Sequence, residues 1–467
     1  MKEFDLIVVG SGAGMNVAAR AIGHGMTAAV VDSGPLGGTC LNRGCIPSKV
    51  MLYPADVIRM AEEAKAIGVQ AKIEKVDFEL IMNRVWEIVL DGRHEMEHSV
   101  AQIDEVEFFN VDGTFVSDYT MKVGEEMITA DKIFIASGAR PLISPIEGIE
   151  EVGYLTSATI FDLKEPPKSL IIVGGGYIAA EFAHFFSAIG TEVIIVGRNV
   201  RLVPQEEPEV SELLKKRMSG YSRVYTNHEA IRAEIRNGQK VIVARNRSDG
   251  QLYEFTGQEI LIAASRRSNA DILQPEKTGV ETDARGWIKV DPYLQTTKEG
   301  IWAFGDATGK HMFRHTANYE SEVVWMNAFT EHKHPVDEHA VPHAVFTHPQ
   351  IASAGMTEEQ AKKTHDILVG MKKYSDTPKG YAMGEEDGFV KVVVENGTGK
   401  ILGAHVIGPH AAILVQQLVY LMNTEEQNYL PLAMAQTIHP ALSEVVVGAF
   451  GNLRPVGEHE HHHQHTH

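Results

Sequence analysis

The feature that most constrains the fold of this chain is a pattern that occurs twice. Each copy consists of a short apolar strand, a glycine-rich turn, a helix and a second apolar strand. The first copy begins at DLIVVG (5–10) and ends at AAVVD (28–32), and the second copy spans 169–198. Such a unit forms part of a parallel sheet and places a dinucleotide against its first turn. The sequence therefore predicts an α/β protein with two Rossmann-like dinucleotide-binding domains.

The first glycine loop reads Gly10-Ser-Gly12-Ala-Gly14. Its glycines let the backbone approach a pyrophosphate at a helix N-terminus, where amides and the helix dipole favour anions. Met15 stands where a third glycine normally lets helix and strand pack closely, so a plain glycine-rich turn is the alternative. Asp32, at the end of the next strand, favours a dinucleotide because its carboxylate can accept hydrogen bonds from a ribose.

The second glycine loop, around Gly174 and Gly176, is followed by a strand that lacks the usual terminal acid. An acid there would bind the 2′-hydroxyl of NAD and repel the 2′-phosphate of NADP. Gly197 replaces it, and Arg198 and Arg201 follow, two guanidinium groups able to pair with a phosphate. The alternative is that both arginines are solvated surface charges. The charge pattern favours NADPH over NADH.

The only two cysteines, Cys40 and Cys45, lie in the stretch GGTCLNRGCIPSK (37–49). They could form half of a metal site, a structural staple or a redox pair. No other cysteine completes a zinc site, and a disulfide closing so short a loop adds little stability. A disulfide between residues five apart requires a distorted helix, which Gly44 and Pro47 permit. A strained, readily reduced disulfide is typical of a catalytic dithiol.

Net charge and hydropathy exclude several classes of function. The chain carries 43 basic and 62 acidic residues, a formal charge of −19, which repels nucleic acid and anionic lipid surfaces. It has no signal peptide and no apolar run of the roughly 20 residues that span a bilayer. We therefore expect a cytoplasmic protein that binds neither nucleic acid nor membrane, in a compartment where structural disulfides are rare.

Several motifs together resemble those of one protein family. The cysteine stretch is similar to the active-site motif of the class I flavoprotein disulfide reductases, the pyridine nucleotide-disulfide oxidoreductases. Further segments match that family in order and spacing: IASGARP (135–141), AFGDATG (303–309), VFTHPQIASAGMTE (345–358) and TIHPALSEVV (437–446). The resemblance implies FAD in the first site, a nicotinamide cofactor in the second, a homodimer, and a small-molecule disulfide as substrate.

The resemblance also implies a division of the chain into domains, the last being an α+β dimerisation domain. The expected parts are an FAD-binding domain in two pieces (1–150 and 271–337), a NAD(P)-binding domain (151–270), the C-terminal interface domain (338–456) and a histidine-rich tail (457–467).

The resemblance assigns roles to the residues that match the family's catalytic motifs. Cys40 would be the interchange thiol that attacks the substrate, and Cys45 the charge-transfer thiol that faces the flavin. His439, oriented by Glu444, would be the acid/base that serves the disulfide of the partner subunit. A histidine held by a carboxylate has a pKa in the working range for this task.

Other residues are implied to hold the cofactors. Lys49 would pair with Glu181 near the flavin, and Tyr177 matches the aromatic residue that gates the nicotinamide pocket. The full expected cofactor-binding set is Gly10, Gly12, Gly14, Asp32, Thr39, Lys49, Gly113, Ser137, Gly138, Asp306, Gly174, Gly176, Tyr177, Ile178, Arg198 and Arg201.

Within the family, the resemblance points to members of the mycothione reductase and dihydrolipoamide dehydrogenase kind. FRHTANYESEVVWMNAF (313–329) and GPHAAILVQ (408–416) look like mycothione reductase. Mercuric reductases carry a C-terminal cysteine pair that this chain lacks. We therefore expect an NADPH-dependent reductase of a low-molecular-weight disulfide, of mycothione or glutathione type. An NAD-linked dihydrolipoamide dehydrogenase is the alternative. Ser265 and Ser268 depart from the glycine and proline frequent in the family.

The C-terminal tail suggests a function of another class, metal handling. Its histidines could bind Zn²⁺, Ni²⁺ or Cu²⁺, and the alternatives are a disordered tail or a purification tag. The candidate ligands are His459, His461, His462, His463, His465 and His467.

Overall fold

The computed structural model describes residues 1–456. It contains two parallel β-sheets with helices against them and an antiparallel sheet built by the C-terminal part of the chain. This architecture confirms the predicted α/β class, with two dinucleotide-binding folds followed by an α+β domain. The expected metal ligands in the histidine-rich tail lie outside the described residues.

The first parallel sheet has the strand Leu6–Val9 at its centre, and all four residues of that strand are buried. An apolar run buried on both faces is typical of an interior parallel strand. In spatial order the strands are Ile301–Ala303, Lys132–Ile135, Leu6–Val9, Ala28–Val31 and Val106–Phe109. A smaller sheet shares its core and contains Lys2–Glu3, Glu126–Thr129, Thr120–Val123 and Gly113–Ser117.

Helices of the first part surround this sheet, and one of them comes from late in the sequence. They are Gly14–Gly23, Gly38–Arg43, Cys45–Glu63, Phe78–Ala101 and Arg314–Phe329, with 3₁₀ turns at Ala64–Ile67, Pro275–Thr278 and Gly305–Thr308. The chain returns to this sheet over residues 288–309. Only Ile301–Ala303 is a strand of a sheet there, because the other residues pair only through isolated bridges.

The second parallel sheet repeats the plan of the first. Its strands in spatial order are Leu155–Thr156, Glu259–Ile262, Ser169–Val173, Glu192–Val196 and Arg223–Tyr225. Beside it lie an antiparallel sheet of His228–Arg236, Gln239–Asn246 and Leu252–Gly257, and the helices and turn Ile149–Val152, Ile160–Asp162, Tyr177–Ala188 and Pro208–Met218. The two parts are connected by a two-stranded antiparallel ribbon, Ala139–Pro141 with Arg266–Ser268, which is followed by the helix Ala270–Leu273.

The C-terminal sheet is antiparallel and has a core of its own. Its strands in spatial order are Pro342–Val345, Ile351–Gly355, Ile401–Ile407, Phe389–Glu395, Ile367–Lys373 and Arg454–Pro455. Its helices and turn are Glu358–Ala361, Tyr374–Asp376, Pro378–Ala382, Ala411–Met422, Leu430–Met434 and Ser443–Gly451. Within residues 1–456, no helix is both long enough and apolar enough to cross a bilayer.

Candidate active site

A cavity of about 1130 Å³ lies where the three parts of the chain meet, and it collects most of the predicted site residues. Those that line it are Gly10, Gly12, Asp32, Thr39, Cys40, Cys45, Lys49, Gly113, Ser137, Gly138, Gly176, Tyr177, Ile178, Glu181 and Asp306. Those that do not line it are Gly14, Gly174, Arg198, Arg201, His439 and Glu444.

The two cysteines lie on consecutive helices separated by a sharp break at Gly44. Cys40 is in the short helix Gly38–Arg43, and Cys45 is the first residue of the helix Cys45–Glu63. Gly44 has φ −139° and ψ −115°, and a Cβ atom there would lie 2.8 Å from the carbonyl oxygen of Thr39. The break confirms the distortion predicted from Gly44 and brings the two thiols together.

The thiols differ strongly in acidity. A hydrogen bond from Cys40 lowers the pKa of Cys45 to about 7, although burial opposes the shift, and Lys49 and Arg314 act in the same direction as the bond. The same hydrogen bond, together with burial, raises the pKa of Cys40. Of the two thiols, Cys45 is therefore the one that ionises around neutral pH, while Cys40 remains a thiol that needs a base.

Lys49 and Glu181 form the ion pair that the sequence predicted. The Lys49 Nζ atom lies 2.9 and 2.8 Å from the two carboxylate oxygens of Glu181. The backbone amide of Phe346 also donates to Glu181 at 2.9 Å, and the ammonium lies 4.7 Å from the centre of the Phe346 ring. The pair joins the cysteine helix to the helix of the second glycine loop, and both side chains line the cavity.

The two glycine loops have matching backbone geometry. Gly10 has φ +106°, and a Cβ atom there would lie 2.2 Å from the carbonyl oxygen of Ala136. Gly174 has φ +144°, and its Cβ would lie 2.2 Å from the carbonyl oxygen of Ala263. Only glycine fits such a contact. Each loop leads into the N-terminus of a helix, so both cradles fit the pyrophosphate of a dinucleotide.

The close packing expected at the position of Met15 occurs one residue earlier. A Cβ atom at Gly14 would lie 2.6 Å from Cγ1 of Val8, so Gly14 provides the close approach of helix to strand. Met15 instead packs its side chain against a neighbouring core. Met15 is therefore compatible with a complete dinucleotide loop.

Asp32 lies at the predicted strand end, and its carboxylate also supports the first glycine loop. It accepts hydrogen bonds at 2.7 Å from both the backbone amide and the hydroxyl of Ser11, and at 2.8 Å from the amide of Gly34. The carboxylate lines the cavity, where a ribose hydroxyl can reach it.

Two cavity residues carry buried polar atoms that have no hydrogen-bond partner among the described residues. The hydroxyl of Ser137 and the Nε atom of Arg266 are buried without a hydrogen bond. Asp306 lies 3.7 Å from Arg266 Nε, beyond hydrogen-bond distance, and burial raises the pKa of Asp306. These groups fit a polar ligand such as the ribityl and phosphate portion of FAD.

Two cavity arginines were not predicted from the sequence, Arg266 between Ser265 and Ser268 and Arg314 in the quoted segment 313–329. Arg266 belongs to the ribbon strand Arg266–Ser268 in AASRRSN, where serines replaced the expected glycine and proline. Arg314 opens the helix Arg314–Phe329, and a Cβ atom at Gly12 would lie 3.6 Å from its Nη1 atom. The signal available in the sequence was a cationic residue within a segment compared with the family.

Arg198 and Arg201 follow the strand Glu192–Val196 and are exposed outside the cavity. Arg201 Nε lies 3.8 Å from a carboxylate oxygen of Glu212. A third guanidinium that the sequence did not indicate joins them, because Nη1 of Arg247 donates to the carbonyl oxygen of Arg198 at 3.2 Å. The end of this strand is therefore positively charged.

His439 and Glu444 form the expected pair but lie outside the cavity. His439 Nδ1 is 2.8 Å from Glu444 Oε1, and the amide of Ala441 donates to Oε2 at 3.0 Å. The bond from His439 lowers the pKa of Glu444. The side chain of His439 is 67% exposed, so its Nε2 edge is open to another molecule.

Comparison with known proteins identifies the family. A model described as pyridine nucleotide-disulphide oxidoreductase matches residues 4–321, and a model of that family's dimerisation domain matches residues 341–450. Mycothione reductase from Mycobacterium tuberculosis is 35% identical over 475 residues, covering 97% of this chain and 100% of that protein. Dihydrolipoyl dehydrogenase from Bacillus subtilis is 31% identical over 466 residues, covering 95% and 96%.

A solved structure shows the same fold. The Cu(II) complex of the HOCl-induced flavoprotein disulfide reductase RclA from Escherichia coli has a TM-score of 0.85 and 27% identity, covering 97% of this chain and 99% of that chain. These matches confirm the resemblance inferred from the motifs. The chain is an oxidoreductase of a family that binds FAD and uses a pyridine nucleotide. It belongs to the pyridine nucleotide-disulphide oxidoreductase family.

Proposed function

We propose that this protein is an NADPH-dependent flavoprotein reductase of a low-molecular-weight disulfide, of mycothione or glutathione type. The observation that carries the proposal is that the thiols of Cys40 and Cys45 share one cavity with both glycine loops and the Lys49–Glu181 pair. The full-length similarity to a mycothione reductase supports the choice of substrate class.

The first glycine loop, Asp32 and Asp306 would hold FAD, and the second loop would hold the nicotinamide cofactor. FAD, when bound, supplies the two-electron chemistry that connects a nicotinamide to a disulfide. Cys45 and Lys49 line the same cavity as Asp32 and Asp306, so the chain would hold FAD within reach of the cysteine pair.

The thiol chemistry follows from the acidity of the two cysteines. A base removes the proton of Cys40, and the resulting thiolate attacks one sulfur of the substrate disulfide. A mixed disulfide forms, and the first product leaves as a thiolate that takes up a proton. The Cys45 thiolate then attacks the sulfur of Cys40, which closes the Cys40–Cys45 disulfide and releases the second product as a thiolate that takes up a proton from solvent.

The base in this scheme is His439 of a second copy of the chain. Large apolar side chains are exposed near this histidine and along two helices, and a second copy would cover them. They include Tyr53, Met60, Ile413, Tyr420, Met434 and Ile438, which are between 66% and 84% exposed. We therefore propose a homodimer in which each His439–Glu444 pair serves the cysteines of the other subunit.

We expect kcat/KM to be higher for NADPH than for NADH, because three arginines surround the end of the strand Glu192–Val196. Arg198→Ala and Arg201→Ala should each lower kcat/KM for NADPH by about tenfold, the effect of losing one charged hydrogen bond. Neither variant should change the value for NADH. Arg245→Ala, an exposed arginine on the neighbouring strand, is the control. A wild-type preference for NADH would contradict the assignment.

A substrate screen tests the function as a whole. The purified protein is assayed with NADPH against cystine, glutathione disulfide, coenzyme A disulfide, bis-γ-glutamylcystine, mycothione and lipoamide. Turnover of a low-molecular-weight disulfide other than lipoamide is the expected result. NAD-linked oxidation of dihydrolipoamide without NADPH-dependent reduction would select a dihydrolipoamide dehydrogenase instead. We propose the cytoplasm as the site of action, because its reducing conditions suit a catalytic dithiol.

A further inference from the structure

Four aromatic rings from three parts of the chain pack together at one wall of the cavity. Tyr177 and Phe313 each have a ring centre 5.5 Å from that of His343, with interplanar angles of 21° and 10°. His315 stacks on Phe313, with ring centres 5.5 Å apart and an angle of 8°. Tyr177 follows the second glycine loop, Phe313 precedes the helix Arg314–Phe329, and His343 belongs to the C-terminal sheet.

The buried carboxylate of Glu206 forms hydrogen bonds with residues of this wall. The Glu206 side chain is fully buried, and it accepts hydrogen bonds from the hydroxyl of Tyr177 at 2.8 Å and of Ser353 at 2.7 Å. His343 Nε2 lies 2.6 Å from the same oxygen that Tyr177 contacts. Burial alone would raise the pKa of Glu206, but the bonds from His343 and Ser353 hold it below its ordinary value. The Glu206 carboxylate is therefore charged, and the neutral hydroxyl of Tyr177 donates a hydrogen bond to it.

The position of Tyr177 gives this contact a consequence for the coenzyme. Tyr177 lies one helical turn before Glu181, so its ring stands beside the Lys49–Glu181 pair on the same face of the helix. Tyr177 directly follows Gly176 of the second glycine loop and lines the cavity, so a nicotinamide dinucleotide seated on that loop must displace this ring to bring its reactive end to the FAD site. We propose that Glu206, held by His343 and Ser353, positions Tyr177 in a closed state that the coenzyme must open.

This proposal rests on the proposed function and adds two positioning residues, Glu206 and His343, to the coenzyme site. If only the open fraction of the protein binds coenzyme, the apparent dissociation constant equals the intrinsic one divided by that fraction. A hydrogen bond to a carboxylate favours the closed state by about tenfold or more. Weakening the bond should therefore tighten coenzyme binding rather than weaken it.

Tyr177→Phe tests this directly, because it removes the hydroxyl and keeps the ring in the stack. In the FAD-loaded protein, we expect the dissociation constant for NADP⁺, measured from the flavin spectrum, to fall by up to about tenfold. Oxidation of the reduced protein by oxygen should also become faster, since the ring covers the cavity less often. Glu206→Gln and Ser353→Ala should change both quantities in the same direction by smaller factors. Combining Tyr177→Phe with Glu206→Gln should add nothing further, because both remove one interaction.

Tyr221→Phe is the matched control. Its hydroxyl donates to the carbonyl oxygen of His348 at 2.9 Å, and the side chain does not line the cavity, so NADP⁺ affinity should stay unchanged. Unchanged or weaker NADP⁺ binding in Tyr177→Phe, with Ser353→Ala also unchanged, would overturn the proposal. A wild-type protein that binds no nicotinamide coenzyme would contradict the proposed function itself, whereas unchanged variants of a coenzyme-binding protein would contradict only the role of Glu206.

Discussion

Replacing Cys40 with serine should lower NADPH-dependent disulfide reduction by at least about 10³-fold, the scale expected for loss of a catalytic nucleophile. Serine keeps the size of the side chain and a hydrogen-bond donor toward Cys45. It cannot form the mixed disulfide, because a hydroxyl does not exchange with a disulfide. The rate is measured by oxidation of NADPH in the presence of the disulfide that the substrate screen identifies.

The Cys45→Ser variant is the matched comparison for this experiment. It should lose turnover to a similar extent, because the mixed disulfide at Cys40 then has no second thiol to resolve it. It should still release one equivalent of product thiol when the reduced protein meets the substrate, whereas Cys40→Ser should release none. Product release by Cys40→Ser would contradict the assignment of Cys40 as the attacking thiol.

Replacing His439 with glutamine should lower turnover by about 10² to 10⁴-fold, the usual contribution of a general acid–base residue. In the proposed scheme the imidazole is the base that Cys40 needs, since a hydrogen bond with Cys45 and burial raise the pKa of the Cys40 thiol. Glu444→Gln should give a smaller loss and an altered pH–rate profile. The amide can still accept the 2.8 Å hydrogen bond that orients the His439 ring, but it no longer carries the negative charge of the carboxylate. The overall rate and the pH profile are measured under the same assay conditions.

Subunit mixing tests whether the histidine acts across the dimer. Coexpressed Cys40→Ser and His439→Gln chains form mixed dimers with one complete site each. With random pairing in a two-fold dimer, about a quarter of the wild-type activity should return. Neither parent variant alone should show this activity. A mixture as inactive as its parents would place His439 and Cys40 in the same subunit.

Much of the fold followed from local sequence, because the apolar runs are strands buried on both faces. The first and second parallel sheets were predicted from these runs, whereas the helix break at Gly44 and the thiol pair were predicted from the cysteine spacing with Gly44 and Pro47. The Lys49–Glu181 pair was predicted from the family resemblance, and its atoms lie 2.8 Å apart across 132 residues of sequence. The domain limits and the roles of the individual residues stay predictions.

The features that sequence did not reveal depend on contacts between distant segments. Arg247 reaches Arg198 only because a hairpin of the neighbouring sheet folds over the strand end. Glu206 meets His343 across 137 residues and a boundary between sheets, and neither residue belongs to a recognisable motif. At Met15, the packing glycine lies one position earlier than the usual pattern, since Gly14 already provides the close approach to Val8.

The central claim is that electrons from NADPH reach the Cys40–Cys45 pair beside a bound flavin. An anaerobic titration of the purified protein with NADPH, followed in its visible spectrum, tests this most directly. We predict a yellow protein that develops long-wavelength charge-transfer absorbance on reduction, and the loss of that band in Cys45→Ser. A colourless protein, or a band that persists in Cys45→Ser, would contradict the account.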